Sequence, residues 1–109
     1  MTIKEFKIQY ALGTLDRDYL YELACSKSTS KEVLKILSKD EDSNVRYGVA
    51  RNPNIPIEIL KILSKDITDY VRHGVAGNPN TPIKIKKVLK NDLRRIQNST
   101  CFGNYSLFN

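Results

Sequence analysis

The chain has 109 residues, with 18 Lys+Arg against 12 Asp+Glu and a formal net charge of +6. That length fits one domain, and 40% hydrophobic with 28% charged residues is the make-up of a folded chain, not a disordered one. No apolar run approaches the roughly 18 residues of a membrane-spanning helix, and two cysteines are too few for a disulfide-stapled mini-protein, so membrane proteins and multidomain enzymes are set aside.

The opening residues, Met1-Thr2-Ile3-Lys4-Glu5-Phe6-Lys7, interrupt every apolar stretch with charge and offer no secretory h-region. Between Ile3 and Leu12, Phe6, Ile8 and Tyr10 alternate while Ile3, Phe6 and Tyr10 fit a helix. We expect a helical cap within residues 1–15. From about Asp16 the chain repeats itself at an offset of 26. Leu34-Lys35-Ile36-Leu37-Ser38-Lys39-Asp40 returns as Leu60-Lys61-Ile62-Leu63-Ser64-Lys65-Asp66. Val45-Arg46-Tyr47-Gly48-Val49-Ala50 returns as Val71-Arg72-His73-Gly74-Val75-Ala76, and Asn52-Pro53-Asn54-Ile55-Pro56 as Asn78-Pro79-Asn80-Thr81-Pro82. Fainter copies flank these: Tyr19, Leu23 and Ala24 take the slots of Val45, Val49 and Ala50, and Ile83 to Asp92 replays Ile57 to Asp66. Cys101, Gly103 and Asn104 fall on the slots of Val75, Gly77 and Asn78. A period of this size implies stacked supersecondary units, each too small to bury its own apolar face. The expectation is an all-α solenoid of about three and a half units over residues 16–104, with a tail at 105–109.

Each unit reads as a longer α-helix followed by a short one. Ile59, Ile62 and Leu63 share a face at spacings of three and four, as do Val33, Ile36 and Leu37, and Ile85, Val88 and Leu89. Thr81-Pro82 reads as an N-cap with proline at the first helical position, and Thr29-Ser30-Lys31-Glu32 as a capping box. The short helix starts near Asp42-Ser43 or Thr68-Asp69, lines Val45/Val49 or Val71/Val75 on one side, and ends at Asn52 or Asn78 because proline follows. Its brevity leaves α and 3₁₀ both open.

The string Val71-Arg72-His73-Gly74-Val75-Ala76-Gly77-Asn78-Pro79-Asn80-Thr81-Pro82, with Leu60, Leu63 and Asp66 at their spacings, resembles the leucine-rich repeat variant family. The resemblance spans roughly Asp16 to Asn104. It implies a HEAT-like right-handed superhelix of alternating α and 3₁₀ helices, with the Val-Arg-x-x-Val-Ala segments forming the concave layer. Some members carry an iron–sulfur domain, but Cys25 and Cys101 cannot supply a four-thiolate site, so no cofactor is expected. The family brings no single shared activity.

The residues themselves hold little catalytic chemistry. His73 is the sole histidine, which excludes multi-histidine metal sites, and its counterpart one period earlier is Tyr47. Gly48 and Gly74 read as points of close helix approach. Cys25 and Cys101 stand about three units apart, on the order of 25–30 Å at roughly 8–10 Å per packed helix, far beyond disulfide reach; a reducing cytoplasm fits that. Asp16/Asp18 and Asp40/Asp42 sit at segment starts, where helix dipoles favour negative charge. Arg46 and Arg72 recur in register. They pair with Asp40 and Asp66 or with turn carbonyls, or else they form a strip that receives acidic groups.

Residues 1–66 hold 11 basic and 10 acidic groups, whereas residues 67–109 hold seven basic against two acidic. The excess lies in Lys84, Lys86, Lys87, Lys90, Arg94 and Arg95, with Lys86 in the slot of Leu60. Such a run solubilises a terminal unit or holds nucleic-acid backbone, with Phe102, Tyr105 and Phe108 stacking on bases or sealing the core. The leading expectation is a non-enzymatic interaction module whose concave face, Arg46, Tyr47, Arg72 and His73, binds an acidic protein segment. Nucleic-acid binding through the basic third is the alternative, and a HEAT-like DNA-repair enzyme the weaker one. No membrane partner is expected, and the oligomeric state is left open.

Overall fold

A computed structural model describes the backbone of residues 1–97 and the side chains of residues 1–90. Thr2 opens the first helix by accepting the Glu5 N–H at 3.1 Å. Helix α1 then runs Ile3–Leu12, and Gly13 closes it at φ 70°, a left-handed conformation that glycine adopts without strain. Six helices follow among the described residues: α2 (Arg17–Cys25), α3 (Lys31–Leu37), α4 (Ser43–Arg51), α5 (Ile57–Leu63), α6 (Asp69–Gly77) and α7 (Ile83–Gln97). The described chain is all-helical. Cys101, Gly103, Asn104 and the aromatic residues of the tail lie outside it.

The expected lengths are reversed: α3 and α5 have seven residues each, α4 and α6 nine. The hydroxyls of Ser38 and Ser64 donate to the carbonyls of Lys35 and Lys61 at 2.6 Å, drawing the backbone away from further helix. Lys90 occupies the same slot one period later, and α7 continues past it to 15 residues. Helices α4 and α6 are α throughout, not 3₁₀. Asp42 caps α4 by accepting the Asn44 N–H at 2.8 Å, and Asn52 and Asn78 leave the helical region at ψ 126° and 125°, ahead of Pro53 and Pro79.

One expected cap moves: Ser30, not Thr29, caps α3 by accepting the Val33 N–H, while Pro56 stands before α5 with no side-chain cap. Thr29, Ile55 and Thr81 share a buried slot instead, and the two threonine hydroxyls donate to the carbonyls of Leu23 and Val75 at 2.6 Å.

Helices α2, α4 and α6 lie side by side, with α3 and α5 seated between successive pairs, α1 against α3, and α7 against α6. Small residues allow that closeness. A Cβ on Gly48 would lie 3.0 Å from the Ala24 Cβ, and one on Gly74 would lie 3.1 Å from the Ala50 Cβ. The core joins Leu20, Ala24, Val33, Leu34, Leu37, Val45, Val49, Ile59, Leu60, Leu63, Val71, Val75 and Leu89. Each buried leucine contributes about 1.5–3 kcal/mol over the exposed state. The buried faces of α3 and α5 are thus Val33-Leu34-Leu37 and Ile59-Leu60-Leu63. Ile62 is 52% exposed and Val88 69%, where the sequence pattern places both in the core.

Buried asparagines join neighbouring units. Asn52 donates from Nδ2 to the carbonyls of Ala24 (2.7 Å) and Ser26 (2.8 Å); Asn78, one period later, donates to those of Ala50 (2.8 Å) and Asn52 (3.0 Å). These carbonyls are ones that the ends of α2 and α4 leave without a helical partner. Each asparagine also accepts, at Oδ1, the N–H two residues on: Asn54 at 2.7 Å and Asn80 at 2.9 Å.

Candidate functional site

Sequence positions 21, 47 and 73 stand 26 apart, and the fold brings Tyr21, Tyr47 and His73 to one groove of about 630 Å³ across α2, α4 and α6. Positions 18, 44 and 70 do the same with Asp18, Asn44 and Tyr70, and Arg17 and Asp42 complete its lining. The tyrosines lie where glycine leaves room. A Cβ on Gly48 would stand 3.3 Å from the Tyr21 ring, and one on Gly74 3.1 Å from the Tyr47 ring. Tyr47 meets Tyr70 edge to face at 5.7 Å between ring centroids, and the guanidinium carbon of Arg51 sits 5.9 Å from the Tyr47 centroid while its Nη1 donates to the Tyr47 hydroxyl at 3.1 Å. The Tyr70 hydroxyl bonds to Ser43 Oγ and donates to Asn44 Oδ1. A hydrogen bond with the Cys25 side chain, followed by burial, raises the Tyr21 hydroxyl above its ordinary pKa.

Of the four residues expected on this face, Tyr47 is half-buried and lines the groove; His73 lines it too but is only 2% exposed. The two arginines turn away into the backbone. All five N–H groups of Arg46 are engaged. Nε and Nη2 donate to the Asp66 carboxylate at 2.9 and 3.3 Å, Nη2 also to Thr68 Oγ1, and Nη1 to the carbonyls of Asp40 and Glu41 at 2.7 and 3.0 Å. Arg72 repeats the motif, donating to the Asp66 carbonyl at 2.5 Å and to Asp69 at 2.7 Å. Arg46 is 13% exposed at the side chain and Asp66 9%, so this pair links successive turns with little access to solvent.

Beside the groove, the Asp40 carboxylate accepts from the Tyr10 hydroxyl at 2.5 Å, from Arg17 Nη1 at 2.9 Å and from the Asp42 N–H at 2.8 Å. Burial pushes the Asp40 carboxyl up, but these three hydrogen bonds and the Arg17 charge outweigh it, leaving the group below the ordinary carboxylate range. Tyr10 is driven well above its usual value by burial and by the bond to Asp40. The cluster ties α1 and α2 to the turn before α4.

The helices α3, α5 and α7 present a different chemistry. Lys35, Lys61 and Lys87 are exposed at 26-residue intervals, and none is held in an ion pair among the described residues. Next to them run Ile36, half-buried, and Ile62 and Val88, exposed; Ile57 and Ile83 are exposed as well. Of the expected basic patch, Lys84, Lys87 and Lys90 are exposed on α7 and Lys86 is half-buried, while the side chains of Arg94 and Arg95 lie outside the described set.

Tyr21 escapes a motif-based reading although it stands one period before Tyr47. Tyr70 offers no such signal, because its counterparts are Asn44 and Asp18. Among the described residues no group of three His, Cys, Asp or Glu side chains is placed to share a metal ion, and no helix is long and apolar enough to cross a membrane. No protein-family model, curated protein or solved structure matches the chain.

Proposed function

We propose that the chain is a non-enzymatic interaction module, a short right-handed solenoid of about three and a half 26-residue units similar to leucine-rich repeat variant proteins, which holds an acidic protein segment. The solenoid reading is supported by contacts that recur at the sequence period: the asparagine bonds, the glycine-on-alanine approach, and the Arg46 and Arg72 bonds to the carbonyls of Asp40 and Asp66. The partner's chemistry follows from one observation, the exposed lysine row Lys35-Lys61-Lys87 running beside the apolar row Ile36-Ile62-Val88. An acidic amphipathic helix lays its apolar stripe on the second row and its carboxylates on the first. The acid-binding face is therefore assigned to α3, α5 and α7; Arg46 and Arg72 serve as links within the fold. A cytoplasmic setting belongs to the same proposal and accords with the exposed thiol of Cys25.

Fluorescence anisotropy with a labelled acidic amphipathic peptide tests it. Binding weakens as salt rises and is lost when Lys35, Lys61 and Lys87 are changed together to Glu; equal binding by that variant refutes the assignment. A second reading, nucleic-acid binding, is favoured by the exposed Lys84, Lys87 and Lys90 of α7. It predicts log affinity for single-stranded RNA or DNA falling linearly with log salt, and its loss in Lys84→Glu/Lys87→Glu.

A further inference from the structure

Charge in the α2/α4/α6 groove runs against that of the whole chain. The chain carries +6, yet Arg17, the cation lining the groove, is paired with Asp40 at 2.9 Å and Asp42 at 3.8 Å. Asp18 is exposed at the same groove and makes no ion pair among the described residues. An acidic segment is repelled there. The walls are tyrosines, and one already holds a cation within the chain, the Arg51 guanidinium over Tyr47. Ring faces bordered by an uncompensated carboxylate favour a positive charge. Asn44 lines the groove and uses its Oδ1 for Tyr70, while its side-chain N–H groups make no bond among the described residues, which leaves two donors for a backbone carbonyl. The features lie in rows across three helices, Asp18-Asn44-Tyr70 and Tyr21-Tyr47-His73, which suits an extended chain more than a compact ion.

We infer that this groove binds an extended protein segment through a lysine or arginine side chain, whose charge meets Asp18 and whose stem or guanidinium plane lies on Tyr21. The site is separate from the lysine rows, so it stands or falls independently of the acidic partner proposed for α3, α5 and α7.

The test uses the full chain and a fluorescein-labelled Gly/Ser nonapeptide with lysine at three alternate positions, beside the same peptide with Gln in their place, at about 150 mM salt so that long-range repulsion by the net charge is screened. The lysine peptide binds and the Gln peptide binds at least ten-fold more weakly. Asp18→Asn, at an exposed position, weakens binding about two- to five-fold, as expected for an exposed charge contact. Tyr21→Ala weakens it by a similar factor through the lost ring contact, and the double variant by roughly ten-fold. Lys35→Glu/Lys61→Glu/Lys87→Glu does not weaken it, which separates this site from the acid-binding face. Equal affinity for the Gln peptide, or wild-type affinity in Asp18→Asn, overturns the inference. So does displacement of the peptide by n-butylammonium at concentrations matching the peptide's own dissociation constant, which would mark a site for free cations.

Discussion

Asn78 offers the sharpest test of what joins one unit to the next. Its side chain is buried and makes three hydrogen bonds: two donated to the carbonyls of Ala50 and Asn52, one accepted from the N–H of Asn80. Asn78→Ala removes all three. The Asn52 carbonyl keeps the Ile55 N–H at 3.3 Å, but the buried Ala50 carbonyl at the end of α4 loses the bond that satisfied it. At about 1 kcal/mol net per bond, with one acceptor left buried and unpaired, the cost is roughly 3–4 kcal/mol. Against a total of about 5–15 kcal/mol that is a large share, and at about 4–8 °C per kcal/mol the midpoint falls by at least ~12 °C.

Circular dichroism melts with two companion variants make the reasoning refutable. Asn80→Ala loses one exposed bond, Nδ2 to the Pro53 carbonyl, and is expected to cost under about 1 kcal/mol. Asn78→Asp keeps the shape but points a carboxylate at two carbonyls, so it is less stable than Asn78→Ala at neutral pH. The gap narrows as the pH falls toward about 4, where the introduced acid takes up a proton and regains a donor. If Asn78→Ala melts within a few degrees of the wild type, or alongside Asn80→Ala, the asparagine bonds do not hold the units together.

Glycine replacements separate packing from propensity. Gly74→Ala costs about 1–2 kcal/mol because its methyl meets Ala50 and the Tyr47 ring at 3.1 Å, whereas Gly77→Ala, with nothing within 4 Å, gains up to about 1 kcal/mol; urea melts in which both gain would refute the close approach. Arg46→Ala leaves the nearly buried Asp66 without its partner and costs about 3 kcal/mol, read as a lowered melting temperature, and an unchanged midpoint would return Arg46 to the list of surface groups. Asp40 is held below its unfolded value of about 3.9, so the stability it contributes is present above that pH and is lost as the pH falls through the folded value; Asp40→Asn removes this acid limb. Tyr10 is raised, so its contribution is present below pH about 10 and is lost as the pH climbs; Tyr10→Phe flattens the alkaline limb, to which Tyr21 also adds, and unfolding curves from pH 2 to 11 that keep the wild-type shape in both variants would contradict the cluster.

The parts of the fold that one unit dictates are legible in the chain. Asn-Pro ends α4 and α6, Asp42 starts α4, and Gly48 and Gly74 mark close contacts. Which side of α5 is buried is not legible, for a geometric reason. At about 100° per residue, Leu60 and Ile62 flank the line through Ile59 and Leu63 by about 80° on opposite sides. Periodicity treats them alike, and only the neighbouring helices select Leu60. Thr81 misleads because Thr-Pro mimics a cap; the clue lies in its counterparts Thr29 and Ile55, a slot that accepts isoleucine being buried. The candidate site shows the same split. Tyr47 and His73 follow from the offset, Tyr21 stands one period earlier but outside the quoted motif, and the engagement of Arg46 with Asp66 joins residues 20 apart, a spacing that the 26-residue repeat does not display.

The spacing of the outer rows also limits what can lie on them. Successive units stack through α2, α4 and α6 at roughly 8–10 Å per packed helix, and the lysines recur once per unit, so Lys35, Lys61 and Lys87 mark out a line of about 16–20 Å. On a partner helix crossing them, rising about 1.5 Å per residue, each 8–10 Å step corresponds to about five to seven residues between carboxylates. Seven residues is nearly two whole turns and keeps the acids on one face; five rotates the second acid by about 140° and sends it away from its lysine. A peptide with Glu at i, i+7 and i+14, and leucines flanking that line, should therefore bind more tightly than one of identical composition with Glu at i, i+5 and i+10. The difference should vanish in Lys61→Glu, because the central lysine alone is flanked by partners on both sides. Equal affinity of the two peptides for the unaltered chain would mean that net charge, and not the 26-residue ladder, attracts the partner.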